Sequence, residues 1–135
     1  RYPGVKKYMH ETVENGKEKG YVETIFKRRR YLPELKSSNF NQRSFGERVA
    51  MNMPIQGSAA DIIKIAMVKV YKELKEHNMK SRLILQVHDE LIIETHISEK
   101  EKVEKILQDC MQNAVKLDVP LIAEVKTGSS WYETK

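Results

Sequence analysis

Residues 83 to 93 read Leu83-Ile84-Leu85-Gln86-Val87-His88-Asp89-Glu90-Leu91-Ile92-Ile93. The apolar runs 83–87 and 91–93 have the composition of buried strands, and only His88, Asp89 and Glu90 lie between them. A parallel crossover needs about a dozen residues or more, so the two runs can pair only as an antiparallel hairpin. Three titratable side chains are thereby gathered at its tip. Adjacent carboxylates repel, which raises at least one pKa unless a cation sits between them. A divalent cation with oxygen ligands resolves that conflict, and pairs of such ions perform in-line phosphoryl transfer. Asp and Glu are also common, soluble turn residues, so the tip alone leaves both readings open.

Long helices flank this hairpin. Upstream, Ile55, Ala59, Ile62, Ile63, Ala66, Met67, Val70 and Leu74 form the strongest helical stripe in the chain, with Lys64, Lys69, Lys72, Lys75 and Glu76 opposite, and the helix runs to about His77. Pro54 is expected to break or restart it. Downstream, a helix from about Ser98 to Lys116 carries Val103, Ile106, Leu107, Cys110 and Ala114 on one face, with Ser98 as cap and Glu99 at its positive end. After Pro120, Leu121 to Val125 reads as a final strand, ending near Gly128 and Trp131. Further upstream, Val5, Tyr8, Met9 and Val13 predict a helix from Pro3 to about Lys19, closed by Gly20. Tyr21–Phe26 and Arg30–Leu32 predict a short hairpin with cations at its tip, stopped by Pro33. A loop from Lys36 to Ser44 and a short helix from Phe45 to Asn52 complete the reading. The fold class is α+β, with antiparallel strands packed on long helices. No repeat and no boundary between independent domains is evident.

The chain has 135 residues, enough for one domain, and 40% are hydrophobic, enough for a core and too many for a disordered tail. A single cysteine, Cys110, excludes a disulfide scaffold. No apolar run approaches the ~18 residues of a membrane span. The start, Arg1-Tyr2-Pro3-Gly4, resembles neither a signal peptide nor an initiator and suggests part of a longer chain. The net charge of +5 is uneven: residues 1–60 hold twelve Lys/Arg and six Glu, residues 61–135 twelve and thirteen acids. From Lys27 to Arg48 there are seven cations and two anions. Such a patch suits a polyanion, although a solvated face has the same composition.

Within that stretch Arg28, Arg29 and Arg30 could reach phosphates from the hairpin tip, with Tyr31 beside them to stack on a base; equally, they could blunt an exposed edge. Arg48, Asn52 and Gln56 recur every four residues, so an unbroken helix would align them to meet phosphates, sugars or base edges. His10, His77 and His96 have no metal-ligand spacing, and there is neither a Gly-rich phosphate loop nor a Cys/His cluster.

Taken together, these residues resemble family A DNA polymerases, the group of bacterial DNA polymerase I. Gln86 to Leu91 resembles the family's third signature motif, and Asn52-Met53-Pro54-Ile55-Gln56-Gly57-Ser58-Ala59-Ala60-Asp61-Ile62 the start of its long palm helix. Gly20 to Thr24 with Arg28 to Pro33 resembles the hairpin before that helix, and Gly128 to Tyr132 the family's ending. The details are nearest to enzymes of Bacillus-like bacteria. The resemblance spans essentially the whole chain, in order, and makes it a partial polymerase domain. Residues from 1 to about 50 would be a fingers-side helix, basic hairpin and connection; those from about 51 to 135 would be palm with the His-Asp-Glu hairpin.

The resemblance implies template-directed DNA synthesis: a primer 3′-hydroxyl attacks a dNTP under catalysis by two Mg2+ ions. Asp89 would ligate metal, Glu90 would be the accompanying acid, and His88 would sit by the primer-terminal phosphate. Arg48, Asn52 and Gln56 would line the duplex, with Arg28, Arg29, Arg30 and Gln86 as further DNA contacts. The implied partners are primer/template DNA and dNTP, with no membrane, in an enzyme that is a monomer in the bacterial cytoplasm. The family's first metal-binding aspartate and its nucleotide-binding fingers helix do not occur in this sequence, so the 135 residues alone are expected to be inactive. The alternative is a non-catalytic nucleic-acid-binding module; a third is an unrelated structural α+β domain.

Overall fold

The computed structural model describes residues 2–134. The chain forms two compact units, Arg1–Asp61 and Ile62–Lys135. One long helix passes from the first into the second.

In the first unit, helix α1 spans Pro3–Lys19, as its end signals predict: Pro3 sits in the first turn and Gly20, at φ 82, closes the last. The Gly20 N–H donates to the Gly16 carbonyl at 2.8 Å. Strands β1 (Tyr21–Glu23) and β2 (Arg29–Tyr31) pair antiparallel, with Tyr21 opposite Tyr31 and Glu23 opposite Arg29. The first strand is shorter than its composition suggests because the chain turns at Thr24, with Lys27 in the left-handed region at φ 65. The tip therefore carries Ile25 and Phe26, both exposed, while Arg29 and Arg30 lie inside β2. A 3-10 turn, Pro33–Lys36, leads into α2, Phe40–Glu76.

Helix α2 departs from expectation twice. It begins at Phe40 because the Asn39 side chain caps it, Oδ1 accepting from the N–H groups of Asn41 (2.9 Å) and Gln42 (3.3 Å). It also runs through Pro54 without a break. Proline deletes one backbone donor, but Ala50, Met53 and Ser58 are buried around it, and packing holds the helix. The buried side accordingly differs from the expected stripe: Ile55 is exposed, and Val13, Val22, Leu32, Leu35, Ala50 and Met53 form the core of this unit.

In the second unit the remainder of α2 buries Ile63, Ala66, Val70 and Leu74, as its periodicity predicts. Strands β3 (Arg82–Val87) and β4 (Glu90–Glu94) pair antiparallel, with a register shift between Leu83 and Leu85. Helix α3 spans Lys100–Gln112 and adds Val103, Ile106 and Cys110 to this core. It is shorter than expected at both ends. Ile97–Glu99 forms a 3-10 turn whose cap is His96, not Ser98. At the other end Lys69 Nζ donates to the Asn113 (2.7 Å) and Ala114 (3.1 Å) carbonyls, placing a cation at the helix's negative pole. Residues 121–125 form no strand. The Ala123 carbonyl accepts from the Gln108 and Gln112 side chains, so this segment is held by amides of α3 and not by a ladder.

Candidate active site and nucleic-acid interface

Because α2 is unbroken, Arg48, Asn52 and Gln56 stand on successive turns, and all three are exposed. Asn52 and Gln56, with Val49, Met53 and Gly57 of α2 and Arg28, Arg29 and Arg30 of the hairpin, line a groove of about 410 Å3. Arg48 is not part of this lining; its Nη1 donates to Ser44 Oγ at 3.1 Å.

The three arginines differ in their surroundings. Arg29 Nε donates to Glu23 Oε1 at 3.0 Å, and its guanidinium lies 4.5 Å from the centre of the Tyr21 ring. The same guanidinium, helped by Lys27, holds the Glu23 carboxyl below the usual range. Arg28 Nε donates to Asp61 Oδ1 at 2.8 Å and its Nη2 to the Gly57 carbonyl at 3.1 Å. Arg30 is exposed and makes no ion pair among the described residues. Asp61 escaped the sequence reading of the site: it lies 33 residues from Arg28, and no local pattern links the two.

The loop between β1 and β2 is fastened to α2 as well. Buried Thr24 accepts from the N–H groups of Phe26 and Arg28, both at 3.2 Å. Ser58 Oγ accepts from the Ile25 N–H at 3.0 Å and donates to the Pro54 carbonyl. Gly57 permits this approach, since a Cβ there would fall 2.8 Å from Thr24 Cγ2.

In the second unit, His88 and Asp89 form a two-residue turn closed by the Val87–Glu90 pair. His88 takes φ 51, the left-handed conformation that two-residue hairpin turns demand. The Gln86 side chain donates to the His88 carbonyl at 3.1 Å and so braces the turn. His88, Asp89 and Glu90 are all exposed. Carboxylates suit a hard cation, but the described residues contain no group of three His, Cys, Asp or Glu side chains able to hold a metal ion. The turn alone therefore does not make a complete metal site. Among the described residues no helix is long and apolar enough to cross a membrane.

The sequence pattern of DNA polymerase family A matches residues 1–133. DNA polymerase I of Caldicellulosiruptor bescii is 57% identical over 135 residues, all of this chain and 16% of the relative. That of Bacillus subtilis is 56% identical over 134 residues, 99% of this chain and 15% of the relative. The POL domain of Pol1 from M. smegmatis, solved in complex with DNA primer-template and dNTP, superposes with a TM-score of 0.96 at 47% identity. That likeness covers 99% of this chain and 24% of the solved one. The chain thus spans a small share of each relative's length, and over nearly all of its own residues it belongs to DNA polymerase family A.

Proposed function

We propose that this chain is part of an enzyme of template-directed DNA synthesis, in which a primer 3′-hydroxyl attacks a deoxynucleoside triphosphate and pyrophosphate leaves. The observation that supports it best is the turn after Val87, which leaves the Asp89 and Glu90 carboxylates exposed at the end of a braced hairpin in a family A chain. Asp89 is the metal ligand of this reading, Glu90 its accompanying acid, and His88 the neighbour of the primer-terminal phosphate. Asn52 and Gln56, with Arg48 a turn away, meet the minor groove, whose acceptors are alike in all correct pairs and displaced in mispairs. Arg29 and Arg30 face backbone phosphates, and Gln86, which spends one N–H on the His88 carbonyl, keeps its Oε1 and its second N–H for DNA. Residues up to about 50 are assigned to the fingers side and the rest to the palm. Primer/template DNA and dNTP are the partners, and the whole enzyme is a cytoplasmic monomer.

Magnesium, two ions in the complete enzyme, would supply neutralisation of charge on the transferring phosphoryl group. Asp89 would be one ligand, with the Glu90 carboxylate next to it in sequence, and no group of three His, Cys, Asp or Glu side chains able to complete such a site lies among the described residues. The 135 residues alone are therefore expected not to extend a primer. Metal-dependent extension by the purified chain would overturn that.

The test of the main reading is Asp89→Ala in the complete polymerase. The rate should fall by about three powers of ten or more, a loss of at least ~4 kcal/mol of transition-state stabilisation, with DNA still bound. A non-catalytic DNA-binding module, the second reading, is favoured only by the basic groove and would have no such activity to lose.

A further inference from the structure

We infer that Arg28 and Asp61 are positioning residues for the groove: their ion pair locks the basic hairpin onto α2 and fixes the distance between the groove's two walls. This rests on the reading of the groove as a primer–template surface. One wall is β2 and its turn, with Arg29 and Arg30; the other is α2, with Asn52, Met53 and Gln56. The fastenings between them come from neighbouring positions on each side. On the helix they are Gly57, Ser58 and Asp61; on the hairpin they are Thr24, Ile25 and Arg28.

Arg28 alone bridges two of these points. Its Nε–H goes to Asp61 Oδ1 and an Nη2–H to the Gly57 carbonyl, so two of its donors are engaged inside the protein. Asp61 is the more deeply placed partner, with 12% of its side chain exposed against 51% for Arg28. Its Oδ2 is shielded from solvent and has no hydrogen-bond partner among the described residues. Without Arg28 that carboxylate would be a nearly buried, unpaired charge, which drives the hairpin and helix apart. Gly57 keeps the gap narrow and Thr24 keeps the loop closed, so the pair acts on a loop that is already ordered.

This role has a sign that electrostatics alone would not give. Removing an acid from a DNA-binding surface ordinarily strengthens binding to a polyanion. If Asp61 is a positioning residue, its removal weakens binding instead.

The test uses the complete polymerase and a primer–template duplex at fixed salt. Asp61→Ala should weaken duplex affinity about fivefold or more, with the dNTP KM moved by less than about twofold. Arg28→Ala should weaken affinity similarly, and the double variant no further than the poorer single one, because both remove the same bond. Asp61→Asn keeps the volume and one acceptor and so the fold; it should weaken binding by a smaller factor. An affinity of Asp61→Asn equal to or tighter than wild type overturns the inference. So does a salt slope that falls by about 0.9 in Arg28→Ala, because Arg28 would then be a direct phosphate contact. Asn52→Ala and Arg30→Ala serve as controls, and both should weaken binding. If neither does, the groove is not the DNA surface and the functional reading fails with the inference; if they do while Asp61 variants do not, the inference alone fails.

Discussion

Glu99 shows how one carboxylate can organise a junction. Its Oε1 accepts from the Lys80 N–H at 2.9 Å, and its Oε2 accepts from the Ser81 N–H at 2.9 Å and the Ser81 hydroxyl at 2.6 Å. Ser81 Oγ in turn accepts from the His96 N–H at 3.0 Å, so the entry to β3 and the exit from β4 share one anchor. The backbone donor of Lys80 and the Ser81 hydroxyl pull the Glu99 pKa down from 4.5 to about 2. A carboxyl depressed on folding stabilises the folded state above its unfolded pKa and loses that contribution as pH falls through the folded value. The stabilisation is therefore complete above about pH 5 and is lost progressively between about pH 4.5 and pH 2. Glu99→Gln should melt lower than wild type at pH 7, and the gap should close near pH 2; parallel thermal melts read this, and a gap independent of pH would refute it. The sequence reading placed Glu99 at a helix pole, which is the nearest use for an acid beside Ser98. Its true partners lie 18 and 19 residues back, beyond any local pattern. The same holds for Arg28 and Asp61, whereas the hairpin at His88 and Asp89 was legible because so short a connection cannot be a parallel crossover, although the turn takes two residues and Glu90 already opens β4.

At the scale of elements, the junction of hairpin and helix makes Gly57 a close-contact position. Ala is a better helix former than Gly by ~1 kcal/mol, so Gly57→Ala would stabilise an isolated helix. Here the new Cβ would lie 2.8 Å from Thr24 Cγ2. Thr24 is buried and its hydroxyl is held by two N–H groups, so the methyl cannot swing aside without breaking the turn. Overpacking of this kind costs about 1–3 kcal/mol, which outweighs the propensity gain, and the net effect is a loss of about 1 kcal/mol. Gly4 is the contrast: a Cβ there meets nothing within 4 Å, and Gly4→Ala should be neutral or stabilising by up to ~1 kcal/mol. Denaturant midpoints of the two variants should move in opposite directions. Helix α1 was legible because Pro3 and Gly20 mark its two ends. The continuity of α2 was not, because the local penalty of Pro54 is overruled by the burial of Ala50, Met53 and Ser58, which no window of sequence displays. For residues 121–125 the error ran the other way: strand composition was present, but a strand also needs a ladder partner, and the Ala123 carbonyl pairs with side-chain amides instead.

Across the whole molecule the charge counts are correct, yet they overstate the charge available to a polyanion. Of the cations between Lys27 and Arg48, Arg28 faces Asp61, and Arg29 and Lys27 both face Glu23. Two acids thus restrain the basic hairpin, and they should do so with opposite consequences. Asp61 ties Arg28 to the helix, so its loss should loosen the groove. Glu23 sits within the hairpin itself, directly across the strand pair from Arg29, and its carboxylate competes with phosphate for that guanidinium. The backbone ladder of β1 and β2 and the Tyr21–Tyr31 edge contact remain when the acid is neutralised. Glu23→Gln in the complete polymerase should therefore strengthen primer–template binding, by up to about fivefold at moderate salt, the range of an exposed ion pair. The gain should carry a steeper salt dependence, since a released arginine adds up to about 0.9 to the slope for each phosphate it neutralises. Because Arg29 and Lys27 hold the Glu23 carboxyl below its usual pKa, wild type should acquire the variant's affinity only in acid. Equilibrium binding at two salt concentrations and two pH values measures all of this. A Glu23→Gln enzyme that binds no tighter than wild type, with an unchanged slope, would mean that Arg29 does not reach the phosphates and that Arg30, which has no ion-pair partner among the described residues, carries that side of the groove.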